Sequence, residues 1–136
     1  MLPRLPHDRR GTAVIEFALL FPLLALVLLG MLGYGQYFLL AHSAQQLAND
    51  AARATVAGLS DAERQTLARA SVTRELTALP EFGRYAVVTD VTEAAQLVTV
   101  RVRIDASTMP LMRMTWLPMP PSTIDRRAVM RPGGEG

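Results

Sequence analysis

Between Glu16 and Asp50 the chain carries no Asp, Glu, Lys or Arg, a gap of 33 consecutive positions. Inside that gap, residues 17 to 41 contain 20 hydrophobic residues in 25 positions. From Phe17 to Gly35 the run FALLFPLLALVLLGMLGYG is 19 residues without a strongly polar group. At ~1.5 Å per helical residue it spans roughly the ~30 Å hydrocarbon core of a bilayer. Continuation through Ala41 leaves room for tilt. Such a run argues against a wholly cytosolic fold, and 136 residues leave space for one small domain beside it.

The basic residues set an orientation. Arg4, Arg9 and Arg10 precede the apolar run and the next arginine is Arg53, so the positive-inside bias puts the amino terminus in the cytoplasm and the carboxyl-terminal 95 residues outside. A cleaved secretory signal is the competing reading, since Ala41-His-Ser-Ala44 loosely fits a small-residue cleavage site. Signal cores are about 7–15 residues long. The run here is longer and passes directly into helix-forming sequence, which favours a retained segment.

Glu16, at the edge of this apolar helix, needs a partner. A carboxylate costs on the order of 2.5–3.5 kcal/mol at the centre of a membrane helix, and less near its end. One reading is an interfacial glutamate touching headgroups and favoured by the helix amino terminus. The neighbouring residues suggest another. Arg9-Arg10-Gly11-Thr12-Ala-Val-Ile-Glu16-Phe17 places a glycine after basic residues and a glutamate five positions further on.

The segment RRGTAVIEFALLFPLLALVLLGMLGYGQYFLLAHSAQQLANDAARAT resembles the TadE-type pseudopilins of the tight-adherence (Flp) branch of type IV pili, over about residues 9 to 57. The resemblance implies a single-pass protein of the bacterial inner membrane whose leader, residues 1 to 11, is removed by a prepilin peptidase between Gly11 and Thr12. It implies the leader charge at Arg9 and Arg10, and roles for Glu16 and Phe17 in processing and assembly. Prepilin peptidase, other pilin and pseudopilin subunits, the inner-membrane assembly machinery and the membrane itself are the partners it implies. The related TadF-type proteins share enough of this pattern to stay open. Glycine at the cut presents no side chain at the scissile carbonyl. Cleavage would free an α-amino group on Thr12, one helical turn from Glu16, and supply the cation that the carboxylate lacks.

Beyond the membrane segment, residues 12 to 41, the domain spans residues 42 to 130, followed by a tail, 131 to 136, expected to be disordered. The first helix is expected to continue to Ala57 and stop at Gly58 in a carboxyl-terminal capping role. Ala44, Ala48 and Ala52 form a small-residue stripe suited to close packing, against a neighbouring helix or the chain's own domain. Gly30, Gly33, Gly35 and Pro22 read as ordinary membrane-helix composition or as sites of a bend and close contact. Ser60-Asp-Ala-Glu63 predicts a capping box opening a second helix, with Leu67, Ala68, Val72, Leu76 and Leu79 at helical spacing up to Pro80.

Residues 97 to 105 alternate, with Val98, Val100, Val102 and Ile104 on one face and Thr99, Arg101, Arg103 and Asp105 on the other, and predict the clearest strand. Tyr85 to Glu93 predicts its hairpin partner, joined through Ala94-Ala95-Gln96, and Ser122 to Met130 a third strand. The fold class expected is α+β and pilin-like: a long amino-terminal transmembrane helix extending into an outer domain with a second helix and a roughly three-stranded antiparallel sheet. Met109 to Pro121, rich in methionine and proline with the single tryptophan, predicts a loop that covers the sheet edge or rests at the membrane surface. The alternative is a polyproline II stretch at Pro118 to Pro121 that binds a groove elsewhere.

Several functions lose ground here. Residues 42 to 136 hold 11 arginines against 10 acids, too even a balance for a nucleic-acid footprint. No cysteine is present, which removes disulfides and thiol chemistry. No phosphate-binding loop, metal helix or nucleophile elbow occurs, and His42 stands alone once His7 leaves with the leader. No cofactor and no enzyme activity are expected. An uncleaved signal-anchored protein with a partner-binding outer domain is the principal rival, and a tethered enzyme the weaker one.

Overall fold

A computed structural model describes residues 10–115 and 118–132. Leader residues 1–9, with Arg9 among them, Trp116 and Leu117, and the part of the expected disordered tail from Gly133 onward lie outside the described residues. Among the described residues, two long α-helices, three short helices of the 3-10 type and three strands follow one another along the chain. The α+β expectation is borne out.

Helix α1 runs from Arg10 to Ala54 without a break at Pro22. Its residues fall into two regimes. From Gly11 to Leu32 nearly every side chain is exposed or half-exposed, including Phe17, Leu20, Leu24 and Leu28. From Gly33 onward one face turns inward: Leu40, Ala41, Ala44, Leu47, Ala48, Ala51 and Ala52 recur at three- and four-residue spacing and are buried. Alanine keeps the backbone close to what it packs on, so the stripe of Ala44, Ala48 and Ala52 serves the chain's own domain. Thr55, buried in the 3-10 turn that continues α1 to Ala57, stays satisfied by donating its Oγ1 proton to the Ala52 carbonyl at 2.6 Å.

Gly58 ends this segment for a reason other than the capping role expected of it. Its φ is −81°, an ordinary extended value, not the left-handed one that a terminal cap uses. Space decides instead. A Cβ there would lie 2.6 Å from Arg64 Cγ and 2.9 Å from the Arg64 backbone nitrogen. The chain turns back so tightly that only glycine fits.

Helix α2, Asp61–Ala78, begins as the capping pattern predicts. The Glu63 backbone N–H donates to Ser60 Oγ at 3.3 Å, and Glu63 Oε2 accepts from the Leu59 N–H at 2.9 Å, which satisfies donors that a helix start leaves free. Ala68 and Val72 face inward, and α2 packs against both α1 and the sheet. Arg64 clasps three pieces of the fold. Its Nε donates to the Gly58 carbonyl at 3.1 Å and its guanidinium pairs with Asp61 at 3.3 Å and with Glu93 on the sheet at 2.7 Å.

The sheet is an antiparallel meander of β1 (Ala86–Ala94), β2 (Leu97–Asp105) and β3 (Thr123–Met130), with β2 central. Alternation along β2 comes out as read: Val98, Val100, Val102 and Ile104 are fully buried beneath the helices, while Arg101, Arg103 and Asp105 face outward. Ile124 of β3 joins this core. The β1–β2 hairpin is tighter than expected, since Ala94 pairs with Leu97 and only Ala95 and Gln96 form the turn. Both adopt positive φ, 51° and 62°, the backbone of a primed two-residue turn that matches strand twist but disfavours side chains. On the far edge, Gln45 Nε2 of α1 donates to the Arg127 carbonyl of β3 at 3.1 Å and covers part of a strand edge.

The loop between β2 and β3 packs on α1 at the end of the apolar run. Met109 is buried in the core and Pro110 to Arg113 form a 3-10 turn. A Cβ on Gly33 would sit 3.3 Å from Leu111 Cβ, Leu111 Cδ1 and Met119 Cε, and the Tyr34 hydroxyl donates to the Pro118 carbonyl. Gly33 is therefore a close-contact glycine, whereas nothing lies within 4 Å of a Cβ at Gly35.

Candidate functional site

The residues singled out for processing and assembly lie on the first two turns of α1. Gly11, Thr12, Glu16 and Phe17 are all exposed, and a Cβ on Gly11 would meet nothing within 4 Å. The Gly11–Thr12 bond lies at the amino-terminal end of α1 as the structure describes it. Thr12 and Glu16, four residues apart in a helix, occupy one face. Among the described residues no ion pair reaches Glu16. Phe17 stacks obliquely on Phe21, with ring centroids 5.8 Å apart. The fold thus groups these residues through one helix alone, and among the described residues no other element of the chain approaches them.

Beyond them, the exposed side chains form an apolar cylinder. Leu19 is 75% and Met31 68% exposed, and the described chain supplies nothing to cover them. Among the described residues α1 is the one helix long and apolar enough to cross a membrane, which suits membrane anchoring. Tyr34, Tyr37 and Phe38 cluster where the run ends, with centroids 6.3 Å and 6.0 Å apart. Amphipathic rings favour that depth, between hydrocarbon and water.

The outer face of the sheet is charged. Arg101 pairs with Asp125 across two strands, its Nε donating at 2.8 Å to Oδ1, and Arg103 pairs with Asp90. Both pairs are diagonal. Asp125 lies directly across from Arg103 and Asp90 across from Arg101, yet each acid takes the arginine two positions away. The hydrogen bonds from Arg101 hold the Asp125 carboxyl below the usual carboxylate range. Asp105 is lowered by the Ser107 backbone N–H, which donates to it at 2.9 Å. Acids kept ionised in this way are poor proton donors near neutral pH. One carboxyl moves the other way: burial, then the nearby Asp50 charge, raise Glu75. Among the described residues no three metal-ligating side chains gather into a site.

Two features were not read from the sequence. The Arg64 clasp depends on where Gly58 and Glu93 arrive in space, and a groove beside Arg84 depends on the loops folding back to α1. Neither has a local sequence signal.

Comparison with known proteins adds one finding. Residues 11–53 match the family model described as TadE-like protein. No curated protein and no solved structure gives a significant match. The matched segment opens at Gly11 and closes one residue before α1 ends. Over this segment, which is less than half of its length, the chain is similar to the TadE-like family.

Proposed function

We propose that this protein is a minor pilin-like subunit for assembly of a tight-adherence pilus, processed by a prepilin peptidase between Gly11 and Thr12. The observation that carries this reading is the match to the TadE-like model from Gly11 on, along a continuous helix whose first two dozen residues have no cover within the described chain. An uncovered apolar helix of that length is stable in lipid and, once extracted, needs other apolar helices. Before assembly it stores the subunit in the inner membrane, amino terminus cytoplasmic and outer domain periplasmic. After cleavage, the Thr12 α-amino group pairs with Glu16 of the same or a neighbouring subunit and sets the axial register between helices.

The test is the amino-terminal sequence of the protein from cells with and without prepilin peptidase. A start at Thr12 that depends on the peptidase supports the reading. Retention of Met1 in the native envelope overturns it and points to an uncleaved anchor whose outer domain binds another envelope protein.

A further inference from the structure

Where α1 leaves the apolar run, a groove of about 290 Å³ opens between the helix and two returning loops. Gln36, Leu39, Leu40 and Ser43 form one wall, and Phe82, Arg84, Tyr85, Met109 and Pro110 the other. We propose that this groove binds an anionic phospholipid of the outer leaflet, with Arg84 on its phosphodiester and one acyl chain running down past Leu39. The proposal rests on α1 crossing the membrane.

Height is the first argument. Taking Gly35 as the end of the hydrocarbon span, the helix wall from Gln36 to Ser43 stands roughly 1.5–12 Å above it at ~1.5 Å per residue, so that its lower part, up to Leu40, lies within the roughly 5–8 Å headgroup layer. Charge is the second. The helix has no charged residue from Phe17 to Asn49, so a cation at this level has to come from elsewhere, and the 3-10 turn Pro80–Arg84 brings Arg84 there. Among the described residues no carboxylate lines the groove. Guanidinium matches phosphate bidentately, and the Gln36 and Tyr85 side chains add hydrogen-bonding groups for headgroup oxygens. Continuity is the third. Leu39 and the adjacent Phe38 are 66% and 64% exposed, so apolar side chains continue past the end of the span to the groove and give an acyl chain a path.

The test uses the full chain in neutral detergent with equimolar phosphatidylglycerol and phosphatidylcholine, read by native mass spectrometry. Phosphatidylglycerol adducts should predominate. Arg84→Gln should lower them about fivefold, the size expected for one interfacial arginine, and Arg84→Lys, which keeps the charge but not the bidentate fork, should lower them less. Ser43→Phe, which fills the groove and leaves the charge, should lower them too. Arg103→Gln, on the outer sheet face, should change nothing. Equal adducts of the two lipids, or no effect of Arg84→Gln and Ser43→Phe, overturn the site. Alkaline carbonate extraction of cell membranes separates this from failure of the underlying reading: release of the chain into the soluble fraction removes the membrane span and the site together, whereas retention without lipid preference removes the site alone.

Discussion

Gly33 of α1 and Leu111 of the β2–β3 loop are in direct contact, so close that a Cβ on the glycine would lie 3.3 Å from both Leu111 Cβ and Cδ1. The contact ties the loop to the helix at the end of its apolar run. Replacing a helical glycine with alanine gains about 0.5–1 kcal/mol of helix stability where space is free. Gly35→Ala should therefore stabilise the protein in micelles, and Gly33→Ala should gain less because Leu111 and Met119 must give way. Gly33→Leu should expel the loop, read as new proteolytic cleavage between Ser107 and Pro121. Equal protection in Gly33→Leu and wild type would show that the contact does not hold the loop.

The hairpin turn carries two non-glycine residues in left-handed conformation, Ala95 and Gln96, each at a cost of roughly 1–2 kcal/mol. Changing the pair to Asn-Gly, which favours this turn type, should raise the unfolding midpoint of the outer domain by several degrees, since about 1 kcal/mol corresponds to about 4–8 °C for a domain of this size. Thermal melts followed by circular dichroism check it.

Substitution at Gly58 separates two reasons for a glycine at a helix end. A left-handed cap tolerates asparagine, whereas a close approach excludes every side chain. With a Cβ placed 2.9 Å from the Arg64 nitrogen, Gly58→Ala and Gly58→Asn should both destabilise by about 1–3 kcal/mol, the usual cost of overpacking. Denaturant midpoints that stay unchanged for Gly58→Asn would favour the cap.

Opposite pH dependences are expected of Glu75 and Asp125. Glu75 has a folded-state pKa raised chiefly by burial, so its ionised form opposes folding above that value, and the cost disappears as pH falls below the unfolded pKa. Glu75→Gln should raise the melting midpoint at pH 7 and lose its effect near pH 3. Asp125 has a lowered pKa, held down first by the hydrogen bond from Arg101. Its contribution is present above the unfolded pKa and is lost as pH falls through the folded one. Asp125→Asn should lower the midpoint at pH 7 and matter progressively less in acid. Melts across pH 2.5–8 distinguish the two signs.

Glu16 carries the assembly prediction. If the carboxylate pairs with a freed α-amino group, Glu16→Gln and Glu16→Ala should leave membrane insertion intact and reduce incorporation into assembled pili about tenfold or more, as loss of a poorly solvated charge pair implies. Co-purification with pilus subunits from sheared cells measures it, and undiminished incorporation would remove the pair from the mechanism.

Local patterns carried most of the elements. Strict alternation from Leu97 to Asp105 implied a strand buried on one face, Ser60 and Glu63 implied the start of α2, and the apolar run from Phe17 implied a helix long enough to span a membrane. Each of these depends on neighbours within one or two turns of chain. Gly58 misled because a glycine at a helix end has two uses, and the one at work here, proximity to Arg64, is set by how α2 folds back against the end of α1. The loop from Met109 to Pro121 was legible as a loop; that it rests on Gly33 and Tyr34 was not, since both its polarity and its length fit several resting places.

The order of charge and hydropathy along the chain determined by itself that a long apolar helix stands at the amino terminus and that an alternating strand comes after it, because both are periodic signals read residue by residue. Only the tertiary structure decided that the Ala44, Ala48 and Ala52 stripe packs on the chain's own domain, which arginine each sheet aspartate takes, and which side chains meet where the helix leaves its apolar run. Those outcomes come from pairings across tens of residues, where steric fit and charge are summed over the whole fold and no short segment contains the answer.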